Sequence, residues 1–176
     1  IKKIKVILCG FNWSGCKALT LLLKRKDVSD IYVYTHNSDY YIPSLKNLCI
    51  KCNVKFSFKK ISKINLPFKP DLIVSVSYKY IIPENVLKIS KYSGFNIHPS
   101  ILPSYKGCSS ITWSMINNEK YLGFSYHLLD KRIDSGNILY QKKIDLEKFD
   151  LQSTAYYRVM FESLKNFNKI IDKILK

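Results

Sequence analysis

Acidic charge is what this chain has least of: 13 Asp and Glu stand against 29 Lys and Arg in 176 residues, a formal net charge of +16. The deficit excludes an acidic, solvating character and favours an anionic partner. Long apolar runs are missing too. The longest, Ala18 to Leu23, is far short of the roughly 20 residues that cross a bilayer, so no membrane span is expected. A signal peptide's apolar stretch is also lacking, because Ile1-Lys2-Lys3 leads straight into a strand-like run, without an initiator Met. Five cysteines form no even set, and with no export signal they are expected as reduced thiols in the cytoplasm.

Several familiar motifs are incomplete. Cys49-Ile50-Lys51-Cys52 has redox or zinc spacing, but no second pair completes a four-ligand site. The pair also falls near the end of a helical stretch, not at the N-terminus that lowers a thiol pKa. Two ordinary helix cysteines and no metal are expected. Gly10-Phe11-Asn12-Trp13-Ser14-Gly15 is neither G-x-G-x-x-G nor a Walker loop, which excludes a generic dinucleotide site. A substrate phosphate resting at Gly10 and Asn12, or a plain tight turn, are the two readings left. The lysines are spread over the chain, and Lys, Asn, Ile and Tyr are plentiful together, as compositional bias would make them. Charge alone supports only non-specific attraction to nucleic acid. No basic and aromatic residues interleave on one strand pair as in an RNA-binding sheet.

What is present is an alternation of strands and helices. Lys5 to Cys9, Ile31 to Thr35, Val54 to Phe58, Leu72 to Val76 and Phe95 to His98 read as strands. Between them, helices are expected at Ala18 to Leu23, from Pro43 with Leu45, Leu48 and Cys52 on one side, and from Pro83 through Leu87. Leu72 to Val76 is continuously apolar, as a strand covered on both faces would be. The expectation is an α/β, Rossmann-like, doubly wound and mostly parallel sheet with helices on both faces. Ile111 to Ile116 then reads as a helix, followed by strands at Leu122 to Leu129 and Ile138 to Ile144 around the turn at Asp134-Ser135-Gly136. Met160, Leu164, Phe167, Ile171 and Ile174 recur at three and four, one apolar helix face. With no repeat or linker, residues 1–176 are expected to form a single domain.

Asn96 and His98 are two apart, so their side chains leave one face of a strand, and Pro99 ends that strand because it cannot donate to the ladder. Open α/β sheets place their chemistry at such ends. An amide and an imidazole together can stabilise an oxygen that turns negative in a tetrahedral intermediate. A carboxylate nearby can raise the imidazole pKa and accept protons through water. Asp134 supplies the carboxylate. No serine or cysteine nucleophile is needed, which points to direct acyl transfer to an amine. Of the other histidines, His36 ends the second strand, while His127, inside an apolar strand, reads as a satisfied structural residue.

Three blocks keep the order of a known family: Asn96-Ile97-His98-Pro99-Ser100-Ile101-Leu102-Pro103-Ser104-Tyr105-Lys106-Gly107, then Trp113 to Asn118, then Lys131-Arg132-Ile133-Asp134-Ser135-Gly136-Asn137-Ile138-Leu139. Together they resemble the core of the folate-dependent formyltransferases. The resemblance implies that 10-formyltetrahydrofolate gives a formyl group to a primary amine, with Asn96, His98 and Asp134 catalytic. It places the pterin against backbone at Tyr80, Ile81 and Ile82 and at Leu129, Asp130 and Lys131. Substrate contacts are expected at Gly10, Asn12, Ser100, Tyr105 and Lys106, the ring of Tyr105 meeting a base or sugar and Lys106 a phosphate.

Three acceptors compete within the resemblance. The purine-synthesis enzyme acting on glycinamide ribonucleotide has a similar length, but its His-containing stretch is replaced here by Gly107 to Trp113. Methionyl-tRNA formyltransferase would suit the charge, yet its usual C-terminal β-barrel has no room, and tRNA is the weaker expectation. Thr35-His36-Asn37-Ser38-Asp39 and Ser75 to Ile82 resemble the sugar-nucleotide N-formyltransferases, so an amino-sugar nucleotide is favoured, with a homodimer left open. The rival classes are a basic nucleic-acid-binding module without catalysis and a formyl-folate hydrolase.

Overall fold

The computed structural model describes residues 2–37 and 43–176. Its contacts group into two compact units, one ending at Phe95 and the other beginning at Asn96. Ser38 and Asp39 of the Thr35 to Asp39 stretch lie outside the described residues.

In the first unit, β1 (Ile4–Gly10), β2 (Val28–Tyr34), β3 (Lys55–Ser57) and β4 (Leu72–Val76) take the order β3-β2-β1-β4. All three pairings are parallel, with Val6 opposite both Ile31 and Leu72. The apolar run of β4 is buried throughout, as its composition requires. Helix α1 (Asn12–Leu23) packs on β1, β2 and β4, burying Ala18, Leu19 and Leu22. It starts six residues before the apolar periodicity does. Gly15 is the reason: a Cβ there would press on Leu45 and on the backbone of Gly10, so this glycine serves close packing inside the helix rather than a loop. Only Phe11 separates strand from helix. Helix α2 (Leu45–Lys51) is capped by Ser44, whose side chain accepts from Asn47 N, as serine at a helix start commonly does. It buries Leu45 and Cys49, whereas Cys52 is its exposed C-cap and not part of the buried side. Burial raises the Cys49 thiol pKa to about 12, the opposite of a redox-active cysteine. Helix α3 (Glu84–Leu87) follows Pro83, its N-cap.

The second unit takes up β5 (Phe95–His98) from Asn96 onward, with β6 (Tyr121–Leu128) beside it and β7 (Ile138–Asp145) beside β6. β6 and β7 are antiparallel, and their register slips between Tyr126, opposite Tyr140, and His127, opposite Ile138. Leu139 is therefore an extra residue, a β-bulge. Its carbonyl accepts from Lys173 Nζ at 3.2 Å. Tyr126 sends its hydroxyl to Ser163 O at 2.8 Å, toward α5, while Ser125 and His127 leave the opposite face. Helix α4 (Ser110–Ile116) packs on α5 (Gln152–Leu164), and α5 on β6. The single helix face expected from Met160 to Ile174 is two helices, because α6 (Phe167–Leu175) begins anew after Lys165 and Asn166. A three-four spacing can run across such a break, since Leu164 and Phe167 are buried on either side of it. No helix among the described residues is long and apolar enough to cross a membrane.

Candidate active site

Pro99 stops β5 as its missing N–H dictates, leaving His98 at the strand's end with Asn96 on the same face. The turn after β6 brings Asp134 back to them. That return needs Gly136: a Cβ there would overlap the Leu128 carbonyl, so only a glycine lets the turn lie this close to β6. Asp134 itself sits at φ 46, in the left-handed region that Asp tolerates better than most residues.

The three residues paired from sequence meet around the Asp134 carboxylate. Its Oδ2 lies 3.3 Å from His98 Nδ1 and accepts from Gly107 N at 2.9 Å. Its Oδ1 lies 3.2 Å from His127 Nε2 and 3.5 Å from Asn96 Nδ2. Asn96 Nδ2 is also 3.2 Å from His127 Nε2. His98 Nε2 faces the Tyr105 carbonyl at 2.8 Å. Burial pushes the His98 imidazole below its ordinary pKa, against the pull of the Asp134 carboxylate and the Tyr105 carbonyl. Burial alone would raise Asp134, but the close approach of His127, the His98 charge and the Gly107 N–H outweigh it and hold the carboxyl below its ordinary pKa. The site is thus a carboxylate between two imidazoles, placed to stabilise a cation formed on His98.

From its sequence position His127 is expected to be structural, and it is buried with Nδ1 on the Leu128 carbonyl at 2.9 Å. Its other nitrogen nonetheless belongs to the site. The signal was Ser125 and His127, two polar residues sharing a face of an apolar strand. Ser100 is almost fully buried, and its hydroxyl donates to Ser104 O at 2.7 Å, closing the loop after β5. Tyr105 directs its hydroxyl to Glu119 Oε1 at 2.7 Å. Lys106 is exposed. Leu129, Asp130 and Lys131 lie in the turn that carries Asp134, where Asp130 Oδ1 accepts from Lys131 N at 2.7 Å.

The remaining expected contacts belong to the first unit. Gly10 ends β1, and Asn12 Oδ1 accepts from Ser14 N at 3.0 Å and from Ser14 Oγ at 2.8 Å. Tyr80 has Lys79 and Lys60 over its ring at 5.0 and 5.9 Å, Ile81 is exposed, and Ile82 is buried.

Comparison with known proteins shows the family of the chain. The family profile described as formyl transferase matches residues 43–171. The chain belongs to this formyl transferase family. Among its relatives, the GDP-perosamine N-formyltransferase of Brucella melitensis is 30% identical over 97% of this chain and 68% of its own length. The methionyl-tRNA formyltransferase of Wolbachia pipientis subsp. Culex pipiens is 32% identical over 98% of this chain and 62% of its own. An N-formyltransferase from Helicobacter canadensis, solved with folinic acid and dTDP-3-aminofucose, superposes with a TM-score of 0.77 at 23% identity, covering 97% of this chain and 65% of that one. That likeness shows the fold, and the α/β formyltransferase fold expected from sequence holds. The chain spans about two thirds of each of these three family members.

Proposed function

We propose that this chain transfers a formyl group from 10-formyltetrahydrofolate to the primary amine of a nucleotide-linked amino sugar. One observation carries the chemistry: Asn96 and His98 both rest on the Asp134 carboxylate at 3.5 and 3.3 Å. A settled charge-assisted N–H···O bond is about 2.7–2.9 Å, so the Asn96 amide is not committed to the carboxylate and can turn to an incoming formyl oxygen, while the His98 ring beside it can take up a proton. The amine nitrogen attacks the formyl carbon, and the Asn96 amide and the protonated His98 receive the oxyanion that forms. The proton lost by the amine reaches the departing folate nitrogen through His98, while Asp134 stabilises the imidazolium in between. Within the second unit the pterin is assigned to the backbone at Leu129 to Lys131 and an acceptor phosphate to Lys106, while the roles of Gly10, Asn12 and Tyr80 to Ile82 rest on the family resemblance alone.

The name of the Brucella relative supports a sugar-nucleotide acceptor, and that of the Wolbachia relative supports methionyl-tRNA as the runner-up. The test is one screen: the protein with 10-formyltetrahydrofolate against GDP-, dTDP- and UDP-linked amino sugars, glycinamide ribonucleotide and methionyl-tRNA, with products weighed by mass spectrometry. The expected result is a formylated sugar nucleotide. Formylated tRNA alone would transfer the assignment to the runner-up.

A further inference from the structure

The Tyr105 ring is expected from sequence to meet the acceptor, but its hydroxyl is bonded on two sides within the chain. It donates to Glu119 Oε1 at 2.7 Å and accepts from Asn117 Nδ2 at 3.1 Å. Both partners belong to the turn that closes α4. Asn117 is the C-cap, Asn118 sits at φ 52, and Glu119 N returns to Ser114 O at 3.0 Å. The other end of α4 is tied to the exit of β5, where Ser110 Oγ donates to Pro99 O at 3.0 Å. The loop after His98 is therefore fastened to both ends of one short helix. Within that loop Tyr105 sits at φ 55, a left-handed conformation that a bulky residue keeps only when its surroundings impose it.

The imposed conformation aims the Tyr105 carbonyl at His98 Nε2, 2.8 Å away. A carbonyl only accepts, so this bond puts the ring proton on Nε2, and in a neutral imidazole Nδ1 then holds the lone pair. Without that carbonyl, the Asp134 carboxylate, 3.3 Å from Nδ1, would draw the single proton to Nδ1 and leave the lone pair pointing away from the carboxylate. We propose that Tyr105, clamped by Glu119 and Asn117, is a latch that sets the tautomer of His98 and makes Nδ1 the base of the site. Tyr105 is thus a positioning residue. The proposal rests on the formyl-transfer reading above and deepens it. As the amine adds to the formyl carbon, its proton moves to Nδ1. The imidazolium then keeps Nε2–H on Tyr105 O, while its Nδ1–H lies between the Asp134 carboxylate and the oxyanion. As the bond from carbon to the folate nitrogen breaks, Nδ1 returns the proton to that nitrogen and His98 regains its starting tautomer.

The experiment compares the whole chain with Tyr105→Phe, Glu119→Ala and Glu119→Gln. Nitrogen-15 shifts of the His98 ring, recorded without substrate above its titration, distinguish the two tautomers. The wild type is expected to show Nε2–H, and Tyr105→Phe and Glu119→Ala to shift population to Nδ1–H. Turnover should fall about 10- to 100-fold in both, with the acceptor KM changed less than twofold. Glu119→Gln, which still offers an acceptor to the tyrosine hydroxyl, should recover most of the turnover lost in Glu119→Ala. An Nε2–H ring in both Tyr105→Phe and Glu119→Ala would overturn the latch. So would a raised acceptor KM at unchanged turnover, which would return Tyr105 to the acceptor. A wild type and variants that shift tautomer as expected, yet transfer formyl to no acceptor, would refute the formyl-transfer reading and leave the latch standing.

Discussion

The two units of the chain divide charge and chemistry unequally. Residues 1–95 carry 17 Lys and Arg against 5 Asp and Glu, whereas residues 96–176 carry 12 against 8. The first unit is all parallel where its strands pair, and strongly basic. The second is nearer neutral, is built around an antiparallel hairpin, and gathers Asn96, His98, His127 and Asp134 about one carboxylate. On the reading proposed above, charge marks where an anion is attracted, and the reacting groups sit where buried polar atoms can be matched one to one.

The contrast is open to attack from both sides. The largest effect belongs to the second unit: His98→Ala should lower turnover by about three orders of magnitude in a single-turnover assay, with an unchanged circular-dichroism spectrum. Near-normal turnover would dismiss the cluster as packing. Gly136→Ala comes next, at about 100-fold, because the new methyl cannot share space with Leu128 O and must displace the turn bearing Asp134. The pH profile should follow the neutral imidazole. Burial holds His98 below its ordinary value of about 6.5, so the rate stays level down to that region and then drops tenfold per pH unit below the ring's midpoint. Asp134 remains ionised across the same window because its own pKa is depressed. An acid limb centred above about 6.5 would contradict this assignment.

Smaller effects concern stability. Ser125 is fully buried, donating to Ser100 O at 2.6 Å while accepting from Leu102 N at 3.0 Å and Gln141 Nε2 at 2.8 Å. Ser125→Ala strands those partners and should cost about 1–3 kcal/mol in urea unfolding. The smallest effect is expected in the first unit, where exposed Lys2→Gln and Lys91→Gln should leave both the urea midpoint and turnover unchanged. A large rate loss there would mean that the basic unit does more than attract.

The sequence was legible wherever a signal is local. β4 and β5 fall on the residues expected, the first from five apolar residues in a row and the second from the proline that ends it. Asn96, His98 and Asp134 were legible because a two-residue spacing and a family's motif order both survive in one dimension. What escaped depends on packing between distant residues. Gly15 looks like a loop glycine until Leu45 is seen against it. His127 looks like filler until the turn folds Asp134 onto it. The Tyr105 carbonyl carries no side-chain identity at all, so no residue type could have announced it.

The bulge at Leu139 has a consequence for how this hairpin tolerates change. Its one extra residue falls between Tyr140, opposite Tyr126, and Ile138, opposite His127. Exchanging Leu139 for another residue alters one half-buried side chain. Deleting it alters the count, and every pairing from His127 to the turn must then slide or realign. Natural drift and deliberate engineering alike can vary what stands at this position. Neither can vary how many residues stand there, because the length of β7, more than its spelling, keeps His127 in step with the acid it serves.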